Sequence, residues 1–195
     1  MKAKQEILAR LRNALDDQPE APTIPRAYRR STDADPAAVR AKLIGRLEDY
    51  RASVYEAKWG ELREVLAGLI DGKAVVPDGI ERSWLPAIEE VEDPLEAACV
   101  VTSSTVSCAE TGTIILTAQP AEGRRALSLI PDHHICLVPA DTIVDIFPEA
   151  WQRVAAAGSA GPITMISGPS ATSDIELERV EGVHGPRVLD VVIVD

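Results

Sequence analysis

The chain has 195 residues, a formal net charge of −11 and 46% hydrophobic residues. This length fits one compact domain with a core that needs no disulfides, and an acidic chain lacks the cations with which nucleic-acid binders neutralise phosphates. The three cysteines, Cys99, Cys108 and Cys136, are too few and too widely spaced for a disulfide framework. They form no CxxC motif, and an iron–sulfur cluster normally needs four thiolates, which argues against a cluster on this chain.

The first 30 residues are predicted to form a helical arm and a proline-rich linker. Apolar residues recur at three- and four-residue intervals between residues 7 and 15, the pattern of an amphipathic helix. Pro19, Pro22 and Pro25 then favour an extended linker. The segment holds seven basic and four acidic residues, so we expect it to lie on the acidic body or on another subunit. It lacks the apolar core of a secretory signal, which predicts a cytoplasmic protein without an integral membrane segment.

Residues 31–195 are predicted to form a single α/β domain. Helix patterns open at Pro36, with Asp35 as the cap, and cover residues 61–70 and 147–156. The predicted strands are residues 52–56, 73–77, 99–101, 113–117, 134–138, 163–166 and 188–194. Their continuous apolar runs suit strands that are covered on both faces. Strands that alternate with helices predict a largely parallel sheet flanked by helices.

Ligand sites in such sheets lie beyond the carboxyl ends of strands, and this rule directs attention to polar loops. Residues 102–113 are rich in Ser and Thr. In this loop Glu110 is either a nucleophile, base or ligand clamp, or a carboxylate that stabilises a turn. Thr111, Gly112 and Thr113 can supply hydroxyl and backbone N–H donors to an anion.

Two further loops contain candidate ligand-binding residues. The donors in residues 167–176 are Gly168, Ser170 and Thr172, and in an extended segment Asp174 and Glu176 would share one face. The same residues could instead cap a helix or a strand. In residues 181–187, His184 and Arg187 could meet an anion, or His184 could be structural. The adjacent His133 and His134 would point to opposite faces of a strand, so no metal site is predicted.

The first two loops are expected to line one cleft, because loops after neighbouring parallel strands converge at one edge of the sheet. Three carboxylates (Glu110, Asp174 and Glu176) would then repel an anion. One unopposed contact between like charges at about 4 Å costs roughly 4 kcal/mol at an effective dielectric constant near 20. We therefore expect Arg187 or protonated His184 to face the cleft, or one carboxylate to turn away and accept backbone N–H bonds.

Five motifs give the chain a family resemblance. They are Cys108-Ala-Glu-Thr-Gly-Thr-Ile-Ile-Leu116, Arg125-Ala-Leu-Ser-Leu-Ile-Pro131, His134-Ile-Cys-Leu-Val-Pro139, Ser167-Gly-Pro-Ser-x-Thr-x-Asp-Ile-Glu176 and Gly182-Val-His-Gly-Pro-Arg187. In this order and spacing, residues 36–195 resemble the lactate utilization protein C family (LUD domain). The resemblance implies a fold similar to the isomerase, CoA-transferase and formyltetrahydrofolate cyclo-ligase group. Glu110-Thr-Gly112 also resembles the Glu-x-Gly loop whose glutamate is the nucleophile of some CoA transferases.

Three functions remain open at this point. The resemblance implies a subunit or accessory protein of a bacterial system that oxidises L-lactate to pyruvate, with a small-anion pocket. In that system the iron–sulfur clusters belong to partner proteins, and this chain carries no cofactor of its own. The second hypothesis is a stand-alone acyl- or phosphate-handling enzyme that uses Glu110. The third is a scaffold that binds its partners through the basic arm.

Overall fold

The structure is a computed structural model that describes residues 2–15, 22–158, 161–169 and 185–195. Within these residues the helices are α1 (Lys2–Ala14), α2 (Pro36–Asp49), α3 (Leu62–Leu69) and α4 (Phe147–Ala157). The strands are β1 (Ser53–Ala57), β2 (Ala74–Val75), β3 (Cys99–Thr102), β4 (Val106–Cys108), β5 (Thr113–Leu116), β6 (His133–Pro139), β7 (Ile143–Val144), β8 (Thr164–Ile166) and β9 (Val188–Val194). None of these helices is long and apolar enough to cross a membrane.

The first sheet has five parallel strands in the order β1-β9-β6-β3-β2. Its centre is the pair β6 and β9, which are in register from His133 and Val188 to Pro139 and Val194. Both strands are almost wholly buried, as their continuous apolar runs predict. The α/β fold with a largely parallel sheet is therefore confirmed.

The second sheet has four strands in the order β7-β4-β5-β8 and is mixed. Strand β5 is antiparallel to β4 and β8, while β4 and β7 are parallel. The prediction that residues 102–113 form one loop is wrong for β4. Strand β4 has only three residues, Val-Ser-Cys, which is too short for an alternation of apolar and polar residues to be recognised. Its pairing with β5 and β7 defines it as a strand.

Helices and the second sheet cover the two faces of the first sheet. Helix α3 packs on one face through Leu62 and Leu66. On the other face, α2 and β5 share a core with β6 and β9, and α2 contributes Val39, Leu43 and Leu47. The carboxylate of Asp35 accepts a hydrogen bond from the backbone N–H of Ala38 at 3.2 Å, so the predicted helix cap is present.

Helix α1 is amphipathic, and its apolar stripe is exposed. Ile7, Leu11 and Leu15 are 60%, 53% and 57% exposed. The predicted helix therefore forms, but these three side chains are not buried against the rest of the chain. The division into an arm (residues 1–30) and one domain (residues 31–195) stays a prediction.

Candidate functional site

Residues 109–112 form the turn that joins β4 to β5, and Thr113 is the first residue of β5. The backbone N–H of Glu110 donates to the carbonyl oxygen of Asp145 at 2.8 Å, which fixes the turn against the end of β7. Its side chain is about half exposed and accepts a hydrogen bond from Nη2 of Arg29 at 3.1 Å. Oγ1 of Thr111 is buried and has no hydrogen-bond partner among the described residues. Glu110 thus lies on the surface in an ion pair.

Two glycines of the predicted loops pack against the end of α2. Gly112 has φ +61°, and a Cβ at this position would lie 2.7 Å from Cβ of Arg46 and 3.1 Å from the ring of Tyr50. Gly168 has φ +100°, and its Cβ would meet Tyr50 at 3.0 Å. Both positions favour glycine, since L side chains rarely adopt a positive φ, and at Gly112 an added Cβ would also overlap Arg46.

The first and second loops meet at Thr113 and Ser167. Oγ1 of Thr113 lies 2.9 Å from Oγ of Ser167, and it also contacts the carbonyl oxygen of Thr111 at 3.5 Å. The physical reason differs from the expected one, because the loops adjoin through the antiparallel pair β5 and β8 rather than at the carboxyl edge of a parallel sheet. Of the predicted ligand-binding residues, Ser170, Thr172, Asp174, Glu176 and His184 lie outside the described residues.

Arg187 lies at the amino end of β9. Ligands of parallel sheets usually bind at the other end, beyond the carboxyl ends of the strands. The guanidinium of Arg187 forms an ion pair with Asp132, in which Nε donates to Oδ1 at 3.2 Å. The backbone N–H of Arg187 also donates to the carbonyl oxygen of Asp132 at 2.7 Å. The side chain of Arg187 is thus held at the surface by a neighbouring carboxylate.

A cavity of about 150 Å³ lies between the two sheets, near the amino ends of β6 and β9. Its described lining is Arg125, Ser128, Leu129, His134, Ile163, Thr164, Met165, Ile166, Ser167, Gly168, Pro169, Gly185, Pro186 and Leu189. These residues include parts of four of the five sequence motifs, which are far apart in the chain. Arg125 is the one charged side chain in this described lining, which contains no carboxylate. The cavity is therefore suited to a small anion.

His134 is the most deeply buried polar side chain in the described lining of this cavity. Its side chain is 0% exposed, and Nε2 lies 2.8 Å from Oγ1 of Thr102 on β3. Nδ1 is also buried and has no hydrogen-bond partner in the described part of the chain. Burial, and to a lesser extent the charge of His133, lowers the pKa of His134 to about 4, so the imidazole is neutral at neutral pH.

Thr102 and Cys136 extend the hydrogen bonds of His134. Oγ1 of Thr102 donates to Sγ of Cys136 at 3.8 Å, and Sγ of Cys136 donates to the carbonyl oxygen of Ser103 at 3.9 Å. Burial raises the pKa of the Cys136 thiol to about 12, so the sulfur keeps its proton. The three side chains form a buried row behind the cavity.

His133 points away from this row, as the alternation of a strand predicts. Its Nε2 lies 2.9 Å from Oδ2 of the buried Asp190 on β9. Within the described residues there is no group of three or more His, Cys, Asp or Glu side chains that could hold a metal ion.

A larger open groove lies at the carboxyl ends of β6 and β9, where the general rule for parallel sheets places ligands. Its charged side chains are mostly paired within the protein. Arg40 pairs with Asp195 at 2.8 Å and with Glu56 at 2.7 Å. Lys42 contacts Asp145 at 2.5 Å and thereby holds the pKa of this carboxyl below its usual range. The groove is therefore the weaker candidate for a ligand site.

The site residues predicted from the sequence do not include Arg125, His134 or Ser167 of the described lining. His134 was considered only with His133 as a metal-binding pair, because it lies in an apolar strand pattern. The signal that could have found these residues is the set of motifs itself, since 125–131, 134–139, 167–176 and 182–187 all contribute to the described lining.

Comparisons with known proteins identify the family. The LUD domain model matches residues 89–194. Lactate utilization protein C of Deinococcus radiodurans is 42% identical over 205 residues, which cover 98% of this chain and 95% of that protein. Lactate utilization protein C of Macrococcus caseolyticus is 40% identical over 49% of this chain and 43% of its own length. A crystal structure of a DUF162 family protein from Deinococcus radiodurans aligns with a TM-score of 0.72 and 35% identity, covering 83% of this chain and 99% of that one. The chain therefore belongs to the LUD domain family.

Proposed function

We propose that this protein acts in the cytoplasm in the bacterial oxidation of L-lactate to pyruvate, as a subunit or accessory protein beside iron–sulfur partner proteins. The observation that carries this proposal is the match to lactate utilization protein C of Deinococcus radiodurans, which spans nearly the full length of both chains. A match of this extent includes both sheets and every described residue of the cavity.

The cavity near His134 is the proposed small-anion pocket of this protein. Arg125 supplies positive charge at the cavity, and Gly168 supplies a backbone N–H. Glu110 does not belong to the described lining, so the expected repulsion between this carboxylate and an anion does not arise there. Thr111, Gly112 and Thr113 act indirectly in this proposal, by positioning Ser167 and Gly168 from the adjoining turn and the start of β5.

A stand-alone enzyme with Glu110 as nucleophile has less support. The Glu110 carboxylate is paired with Arg29 at the surface, about half exposed. A nucleophile works best in a site that excludes water and holds the substrate. Replacing Glu110 with Gln is therefore expected to leave growth on L-lactate unchanged. Loss of that growth with normal folding would favour the enzyme hypothesis.

The arm is proposed as a segment that binds a partner protein. Its exposed apolar stripe and its basic residues favour an acidic partner with an apolar patch. Removing residues 1–30 should abolish co-purification of iron–sulfur proteins from lactate-grown cells and leave the thermal unfolding of residues 31–195 unchanged. Co-purification that survives the deletion would contradict this role of the arm.

Deletion of the gene tests the proposed function. We expect the deletion strain to lose growth and oxygen uptake on L-lactate, to grow normally on glucose, and to recover with the wild-type gene. Co-purification with the wild-type chain should also yield proteins with the visible absorption of iron–sulfur clusters. Unimpaired growth and oxidation of L-lactate in the deletion strain would contradict the proposal.

A further inference from the structure

The hydrogen bonds behind the cavity determine which nitrogen of His134 carries the proton. A neutral imidazole has one N–H and one lone pair, and Thr102 has a single hydroxyl proton. If Oγ1 of Thr102 donates to Sγ of Cys136, it accepts the bond from Nε2–H of His134, and both contacts of Thr102 are satisfied. If Oγ1 donates to Nε2 instead, it no longer donates to Sγ of Cys136, and Nδ1–H is left as a buried donor without a partner in the described chain.

The first arrangement is the more stable one. It makes three hydrogen bonds, from His134 to Thr102, from Thr102 to Cys136 and from Cys136 to the carbonyl oxygen of Ser103. The alternative makes two, because the single thiol proton of Cys136 can serve either Thr102 or Ser103. The first arrangement also leaves a lone pair rather than an N–H unpaired, and buried N–H groups without a partner are the rarer of the two in proteins. Nδ1 of His134 is then an acceptor that lacks a donor among the described residues.

The hydroxyl groups of the cavity can be examined in the same way, by asking which acceptor each proton already serves. Oγ of Ser128 donates to the carbonyl oxygen of Arg125 at 3.2 Å, so its proton is committed to holding the short helix Arg125–Ser128. Oγ1 of Thr113 lies closer to Ser167 than to the carbonyl oxygen of Thr111, at 2.9 Å against 3.5 Å. Both contacts are hydrogen bonds only if Thr113 donates to the carbonyl oxygen of Thr111 and accepts the proton of Ser167, so Arg125 is the charged side-chain donor in the described lining that remains for an anion.

We propose that the cavity binds a small 2-hydroxycarboxylate, whose hydroxyl donates to Nδ1 of His134 and whose carboxylate is bound by Arg125. A cavity of about 150 Å³ has the volume of about five water molecules, which limits the ligand to a few carbon atoms. The choice of L-lactate as the ligand rests on the proposed function. A 2-oxo acid has no O–H at this position, so it would leave Nδ1 unpaired and bind about tenfold more weakly or worse.

Binding to the purified full-length protein tests the proposal. Isothermal titration should show binding of L-lactate, with pyruvate and propionate at least about tenfold weaker, because neither has a hydroxyl to donate. Equal affinity for L-lactate and pyruvate, or no binding of L-lactate, would overturn the proposal.

Thr102→Val provides a sharper test, because it keeps the shape of the side chain and removes the hydroxyl that fixes the proton. The imidazole can then place its proton on Nδ1 and donate to the oxo group of pyruvate. We expect the preference for L-lactate over pyruvate to fall towards unity in this variant. An unchanged preference would contradict the role of the His134–Thr102–Cys136 row.

Long-range ¹H–¹⁵N correlation spectra of the free wild-type protein give a readout that needs no ligand. The ¹⁵N shifts should identify His134 as the neutral Nε2–H form, with an unprotonated Nδ1. A signal from the Nδ1–H form would overturn the proposal even if the protein binds anions.

Two adjacent arginines provide a matched pair of variants. Arg125 and Arg124 are both exposed, but only Arg125 belongs to the described lining of the cavity. Arg125→Gln should weaken L-lactate binding about tenfold or more, since it removes a charged hydrogen-bond donor, and Arg124→Gln should not. Equal effects of the two changes would point to general electrostatic attraction and contradict the site.

The binding test and the growth test distinguish a failure of this inference from a failure of the proposed function. A growth defect on L-lactate without binding of L-lactate to the purified chain would overturn this inference and leave the proposed function in place. Binding with the expected preference in a protein whose deletion does not affect growth would support the inference and contradict the proposed function.

Discussion

At the scale of single residues, burial determines the chemistry of His134. The unfolded chain protonates this imidazole near pH 6.5, and the folded protein protonates it only near pH 4. Between these values the unfolded state therefore binds more protons, so the stability of the fold decreases as the pH falls from 6.5 to 4. The loss is at most about 1.4 kcal/mol per pH unit and about 3 kcal/mol in total.

His134→Gln should remove this part of the pH dependence. Urea unfolding at several pH values between 4 and 7 measures it, as the difference in slope between the wild type and the variant. The slope is the readout, because the substitution changes the absolute stability as well. Parallel curves for the two proteins would show that His134 is not held in its neutral form by burial.

Gly112 tests the contact between the β4–β5 turn and α2. Gly112→Ala places a Cβ at φ +61° and 2.7 Å from Cβ of Arg46, so we expect it to reduce the free energy of unfolding by about 1–3 kcal/mol. Gly45→Ala is the control, because this exposed helical glycine has nothing within 4 Å of its added Cβ. The control should be stabilising by about 0.5–1 kcal/mol. Equal effects of both changes in urea unfolding would contradict the close approach.

At the scale of elements, the sequence predicts a strand where an apolar run marks it, and this holds even for the two residues of β2 and the three residues of β8. Strands β6 and β9 are long, apolar and central, so local composition and final environment agree. Strands β4 and β7 have three and two residues and were not predicted, because only their pairing in the second sheet defines them. The helix at Pro36 was predicted together with its cap, since a cap is a local interaction.

The sequence likewise predicts only the part of the candidate site that has a local pattern. Residues 110–113 and 167–168 are recognisable in the sequence because polar residues and glycines interrupt apolar runs. His134 was missed, since it is a polar residue within a buried strand and its partner Thr102 lies 32 residues away. A hydrogen bond between two strands leaves no local pattern, and the sheet order β6-β3 that creates it cannot be derived from composition.

A substitution in helix α2 tests the packing between the second sheet and the first. Leu43 is 0% exposed in the core that α2 shares with β5, β6 and β9, so Leu43→Ala should cost about 2–5 kcal/mol of unfolding free energy. Ile7→Ala on α1 is the control, because this side chain is 60% exposed and should contribute under about 0.5 kcal/mol. A similar cost for both changes would mean that α1 packs in solution against something that is not seen here.

At the scale of the whole molecule, the first sheet has a candidate ligand site at each end of its strands. The groove at the carboxyl edge contains mostly paired charges, such as Arg40 with Asp195. Nε of Arg40 in the groove and Nδ1 of His134 in the cavity are both buried without a hydrogen-bond partner among the described residues. The charge of Arg40 is paired, however, whereas Arg125 in the cavity lining forms no ion pair among those residues. The second sheet explains the difference, since β8 closes the space over His134 and brings Ser167 and Gly168 to it.

Growth on L-lactate with single substitutions in the chromosomal gene tests most directly whether this cavity serves lactate utilization. A strain with Arg125→Gln should grow and take up oxygen on L-lactate as poorly as the deletion strain, while a strain with Arg124→Gln should match the wild type. Immunoblots with equal amounts of both variants make the comparison valid. Wild-type growth of the Arg125→Gln strain on L-lactate would contradict the assignment of the cavity to this function.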